Sequence, residues 1–165
     1  METRPISKAQ QQQLADITPS KDSVLKYYPC QVELKDGTVL DNVYIADYDS
    51  YISGYGIAPA DDQLIPIEDV IVIHESPNRL PAKLANKLYN AGESGMGYCV
   101  FRLLYDTGDT LDVLTGNAVD FVPSPEDLSV HHIVDVLPHE GSRQDYAEGL
   151  SYSWCLYKGV EKQAG

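Results

Sequence analysis

The residues whose types and spacing could do chemistry lie first in a tyrosine-aspartate string at positions 44–55. Tyr44, Tyr48, Tyr51 and Tyr55, four of the chain's 12 tyrosines, are interleaved there with Asp47 and Asp49. Tyrosine offers a large contact area at small entropy cost and marks binding hot spots. Carboxylates beside it favour cations. With Asp61 and Asp62 just downstream, the string reads as a strand, a turn and a strand that present a contact patch to a basic partner. Asp47-x-Asp49 also starts like a calcium loop, but a tyrosine stands at the third ligand position and no glutamate closes it. His131-His132 and His139 read as strand neighbours facing opposite ways, one histidine buried and one solvated, so no metal set is expected. Cys30, Cys99 and Cys155 form no C-x-x-C pair and read as reduced, buried small hydrophobes. No glycine-rich phosphate loop or nucleophile elbow is present, so no nucleotide cofactor is expected.

The string Leu103-Leu104-Tyr105-Asp106-Thr107-Gly108 resembles the Asp-Thr-Gly catalytic loop of retroviral-type aspartic proteases. In that family two such aspartates share one proton, because like charges at close range cannot both ionise cheaply. The resemblance implies a hydrolase acting through Asp106. This chain departs from the pattern at Asp109, where a small residue normally follows, and its other half carries Asp36-Gly37-Thr38 in place of the triplet. A hairpin turn explains the same residues without catalysis.

The 165 residues carry 12 Lys+Arg against 25 Asp+Glu, a formal net charge of −13. Such a field repels a phosphate backbone and an anionic lipid surface alike, which excludes generic nucleic-acid and membrane-surface binding. The imbalance is placed rather than spread. Residues 25–80 hold 3 basic and 10 acidic side chains and residues 81–140 hold 3 and 9, while 1–24 and 141–165 are each neutral. No stretch is long and apolar enough to span a bilayer, and the start of the chain lacks a secretory apolar core, so a cytoplasmic location is expected.

The elements that must position these groups repeat. Cys30, Val32 and Leu34 alternate into a turn at Asp36-Gly37, and Cys99, Phe101 and Leu103 alternate into a turn at Thr107-Gly108 that reads as two residues longer. Both are hairpin signals, with a bulge expected where alternation breaks between Leu40 and Val43. In the first half Pro66-Ile67-Glu68-Asp69 reads as one helical turn before a β-branched strand, and Glu126-Asp127 holds the corresponding place in the second. Leu80, Leu84 and Leu88 mark a short helix between the halves, and residues 7–17, capped by Ser7, a second one whose glutamine run Gln10 to Gln13 needs no function. The aromatic segment 150–157 reads as a last strand or docking tail, able as a strand to cover Tyr98, Val100 and Leu104.

This succession resembles the SH3-like or Sm-like small barrel. The expected fold is therefore mainly β (α+β), with two tandem SH3-like five-stranded small barrels joined by a short helix, and an N-terminal helix. The segments are 1–24 (helical arm), 25–78 (first barrel), 79–96 (linker helix), 97–140 (second barrel) and 141–165 (aromatic strand or tail). The expected function is that of a non-enzymatic acidic adaptor or inhibitor. It would engage a basic protein surface and occlude a nucleic-acid-binding groove as an immunity or anti-defence protein would. The alternative is a Tudor-like aromatic cage of Tyr48, Tyr51 and Tyr55 that reads methylated or cationic side chains. Self-association through barrel edges or the leucine stripe is a further possibility.

Overall fold

A computed structural model describes residues 3–161 of the chain. In chain order the elements are α1 (Lys8–Ala15), β1 (Ser20–Lys21), β2 (Lys26–Leu34), β3 (Val39–Asp47), α2 (Tyr48–Tyr55), β4 (Val70–Glu75), α3 (Ala82–Ala91), β5 (Cys99–Tyr105), β6 (Thr110–Thr115), β7 (Ile133–Pro138), β8 (Ala147–Glu148) and β9 (Ser153–Tyr157). Short 3₁₀ turns stand at Asp61–Gln63, Ile67–Asp69 and Val130–His132. The fold is α+β with two sheets, and neither sheet closes into a barrel among the described residues. Two compact units divide the chain. The first takes residues through Pro19, Val24–Ser76 and Tyr152 onward, and the second takes Ser20–Ser23 and Pro77–Ser151. The segment expected as a linker helix is thus an element of the second unit, and the aromatic tail is a strand of the first.

In the first unit the strand order is β4-β2-β3-β9, with β9 parallel to β3. In the second it is β7-β5-β6-β8, with β8 parallel to β6. Both units share one order, a helix, a hairpin, a 3₁₀ turn, a strand returning antiparallel to the first and a late parallel strand on the other edge, and the first unit adds α2 and the 3₁₀ turn Asp61–Gln63 after its hairpin. From β2 through the turn to Asp41 the hairpins correspond at an offset of 71, Leu34 answering to Tyr105 and Gly37 to Gly108, and from Val43 onward β3 corresponds to β6 at 70. Their turns have the same length, which corrects the expectation of a longer second turn. Leu34 N donates to Thr38 O and Tyr105 N to Asp109 O, and the two glycines sit at φ 89° and 88°, where a side chain would be strained. Cys30 accordingly corresponds to Phe101 and not to Cys99.

The cross-strand polar pair is repeated too. Gln31 Nε2 donates to Asp41 at 2.7 Å, and at the matching positions Arg102 Nε donates to Asp112 at 2.7 Å. One difference separates the hairpins: the register of β2 with β3 shifts between Cys30 and Val32, placing an extra residue opposite Gln31, the bulge read from the broken alternation. Both returning strands slip against their partner beside the hairpin turn, at Glu33/Leu34 and Leu104/Tyr105.

The 3₁₀ turns also correspond, since Lys35 N donates to Asp69 O and Asp106 N to His132 O. His132 therefore stands where Asp69 does, which corrects the pairing of Glu126-Asp127 with Glu68-Asp69. Asp127 instead takes φ 71° in a turn closed by Leu128 N on Pro125 O. His131 and His132 lie on a 3₁₀ turn and not on a strand, with His132 Nδ1 accepting from Ser129 N at 3.0 Å.

Each unit has its own core. Val32, Val43, Ile45, Ile67 and Ile73 pack with Ile6, Leu14 and Ile17 in the first. Leu80, Leu84 and Leu88 are buried with Phe101, Leu103, Val113 and Val136 in the second, so the leucine stripe is spent on its own core and offers no free face for self-association. The glutamine run, expected to need no function, docks α1. Gln10 completes a capping box with Ser7 and donates to Ile67 O and Val70 O at 3.0 and 2.9 Å, and Gln13 Oε1 accepts from Ile73 N. The bonds to Val70 O and from Ile73 N satisfy outer backbone groups of β4, an edge that would otherwise invite pairing, and the bond to Ile67 O ties α1 to the turn before it.

Candidate functional site

The string at 44–55 does not form a strand, a turn and a second strand. It forms the end of β3 followed by α2, because Asp47 caps the helix, accepting from Asp49 N at 3.0 Å and Ser50 Oγ at 3.3 Å, and Gly56 at φ 83° ends it. A helix puts Tyr48, Tyr51 and Tyr55 on one face, at i, i+3 and i+7.

That face divides. Tyr51 and Tyr55 meet edge to face at 4.8 Å and both turn toward Trp154 of β9, at 4.9 and 6.4 Å between centroids. Tyr44, Tyr27 and Tyr152 pack on the same indole. Tyr44 is 0% exposed and Tyr51 8%, so both are core residues, and burial pushes the Tyr51 hydroxyl pKa upward. Tyr55 is 38% exposed. Tyr51 and Tyr55 thus spend their ring contacts on an indole of their own unit.

Tyr48 has a different setting. Lys158 Nζ lies 5.6 Å from its ring centroid and 3.7 Å from Asp49 Oδ1, so the chain places one of its own ammonium groups against this aromatic-acidic corner. Tyr48 also lines a cleft of about 110 Å³ within the first unit. The apolar part of its lining comes from Leu64, Pro66, Ile67 and Leu156, on the turn before β4 and on β9, and its polar part from Tyr48, Asp61, Glu68 and Arg4. Pro66 opens the 3₁₀ turn that carries Glu68, and Asp61 begins the preceding one, so the two carboxylates are held by backbone geometry.

Asp61, Asp62 and Glu68 are exposed, and among the described residues they make no ion pair. Glu68 is felt inside with its neighbour Asp69: burial raises the Cys155 thiol pKa, and these two carboxylates raise it further. Of the residues singled out from sequence, the structure brings Tyr48 and Asp61 into one cleft with Asp49 at the Lys158 corner, commits Asp47 to a cap, and assigns Tyr44 and Tyr51 to the core. Glu68 was missed as a site residue, although its place behind Pro66 in a predicted helical turn was already legible.

Elsewhere, Asp106-Thr107-Gly108 forms the exposed turn between β5 and β6. Cys30, Cys99 and Cys155 are buried and form no disulfide among the described residues. No group of three or more His, Cys, Asp or Glu side chains converges on a metal-sized point among the described residues. No helix among them is long and apolar enough to cross a membrane.

The second unit holds a buried polar cluster that sequence reasoning missed. Asp120, 0% exposed, accepts from the hydroxyls of Ser20 and Tyr89, and Arg79 donates to Ser20 Oγ at 3.4 Å. The cluster joins the segment before α3 to residues 119–122, where Arg79 and Phe121 also bridge through the backbone. It is a tie between loops, and its signal in the sequence was only an aspartate set among Val119, Phe121 and Val122. Comparison with models of known protein families, with curated proteins and with solved structures yields no match for this chain.

Proposed function

We propose that the chain is a non-catalytic acidic binding protein, an adaptor or inhibitor, that engages a basic protein surface through the first-unit cleft and the carboxylates around it. The observation that carries this reading is that Asp61, Asp62 and Glu68 are exposed at or beside a cleft and have no ion-pair partner among the described residues. Unneutralised carboxylates on fixed turns speed encounter with a cationic surface and reject anionic competitors. A partner whose basic groove holds nucleic acid would be occluded by such a surface, as an immunity or anti-defence protein does.

The finer reading of the fold belongs to the same proposal: each unit is an opened relative of the SH3-like or Sm-like small barrel. The recurring hairpin, 3₁₀ turn and returning strand support it. A second reading, a Tudor-like reader of methylated or cationic side chains, is left with Tyr48 and the Lys158 ammonium beside its ring, since Tyr51 and Tyr55 pack on Trp154. A methyl-lysine peptide panel separates the two.

The test is affinity capture from the native host with the wild-type chain beside an Asp61→Asn, Asp62→Asn, Glu68→Gln variant. The expected outcome is a partner with a basic face that is retained at low salt, released at moderate salt and lost by the variant. Capture that ignores both salt and variant contradicts the reading.

A further inference from the structure

We propose that the first-unit cleft is a receptor for one arginine side chain of the partner, an inference that rests on the reading of the chain as a binder of a basic protein. Three features of the cleft fit that side chain. The methylenes of an arginine stem match the surface offered by Leu64, Pro66 and Leu156. Tyr48 lines the cleft, where its ring can meet a planar guanidinium, while Lys158 Nζ, 5.6 Å from the ring centroid, lies outside the cleft lining. Asp61 and Glu68, both exposed and without an ion pair among the described residues, suit the forked donors of a guanidinium.

The same features disfavour other cations. A methylated ammonium is held by several rings at once, and the cleft lining includes Tyr48 but neither Tyr51 nor Tyr55, which face Trp154. An unmodified lysine is more strongly hydrated than arginine and has no planar group to lay on the ring. Arg4 lines the cleft as well, so its positive charge opposes a partner's arginine.

The full-length chain would be titrated with the capped tripeptide Gly-Arg-Gly and its citrulline, lysine and trimethyl-lysine counterparts, followed by backbone amide NMR. The arginine peptide is expected to shift the amides of Tyr48, Leu64 and Ile67 in a saturable way, and the uncharged citrulline peptide to leave them in place. An Asp61→Asn, Glu68→Gln variant, whose exposed substitutions leave the core untouched, should bind about tenfold more weakly or worse. Arg4→Ala should bind more tightly.

Equal binding of citrulline, tighter binding of trimethyl-lysine, or shifts unchanged in the double variant would overturn the arginine receptor. Poly-lysine separates this inference from the reading beneath it. If the cleft is silent to arginine while poly-lysine binds in a salt-sensitive way that Asp61, Asp62 and Glu68 control, the receptor is refuted and the basic-partner reading stands. If poly-lysine also ignores those residues, both fall.

Discussion

Tyr105 and Asp112 show opposite ways of handling a polar group. The Tyr105 hydroxyl is buried without a hydrogen-bond partner among the described residues, while its ring packs in the second-unit core. An orphaned buried hydroxyl costs more than its removal, so Tyr105→Phe should stabilise the second unit by about 1 kcal/mol. A urea midpoint that falls in the variant contradicts this. Asp112 is instead fully engaged: Arg102 donates to both its oxygens at 2.7 and 3.4 Å and holds its carboxyl below the usual carboxylate range, with Ser142 N adding a bond at 2.8 Å. A carboxyl depressed on folding stabilises at pH above its unfolded value of about 3.9, and that contribution drains away as pH falls through the lower folded value. The protection factors of the β5 and β6 amides, exchange rates taken relative to the intrinsic rate at each pH, should therefore fall on acidification, less steeply in Arg102→Met. Equal acid dependence in the two proteins would argue against the pair.

At the scale of elements, α1 is held by the Gln10 and Gln13 side chains as well as by its buried Leu14. Gln10→Ala removes donors to Ile67 O and Val70 O and should destabilise the first unit by about 1–3 kcal/mol, read as a lower urea midpoint. An unchanged midpoint would mean that solvent serves those carbonyls equally well. The hairpins, the bulge, α1, α3 and the turn at Pro66 were legible, because alternation, turn glycines and caps are local signals. The helix α2 was not. Tyrosine and isoleucine favour strands, which masked the helical i, i+3, i+7 spacing of Tyr48, Tyr51 and Tyr55, and what decides is the Asp47 carboxylate reaching Asp49 N with Gly56 in the left-handed region. Partner strands were equally hidden. Whether Trp154 pairs with β3 or with another edge is set by long-range packing, which leaves no mark in the spacing of residues 150–157.

Over the whole chain, two units of one plan share the acidic excess, and the sequence revealed that repetition only approximately. Matching Cys30 and Leu34 to Cys99 and Leu103 misled, since two identical residue types suggested an offset of 69 for β2 where the strand register gives 71. The candidate site is similarly half legible. Tyr48 and Asp61 could be named from composition, but which tyrosines remain available depends on Trp154, far along the chain.

The central claim is electrostatic: the charge at Asp61, Asp62 and Glu68 drives recognition of a basic protein. Asp47 is left unaltered in its test because it caps α2. The most direct measurement is Kd against salt concentration for the captured partner, with the wild-type chain and with the Asp61→Asn, Asp62→Asn, Glu68→Gln variant. The account predicts a wild-type affinity that falls steeply with salt and a variant that binds weakly with a flattened slope. The same affinity and slope in both proteins would contradict it.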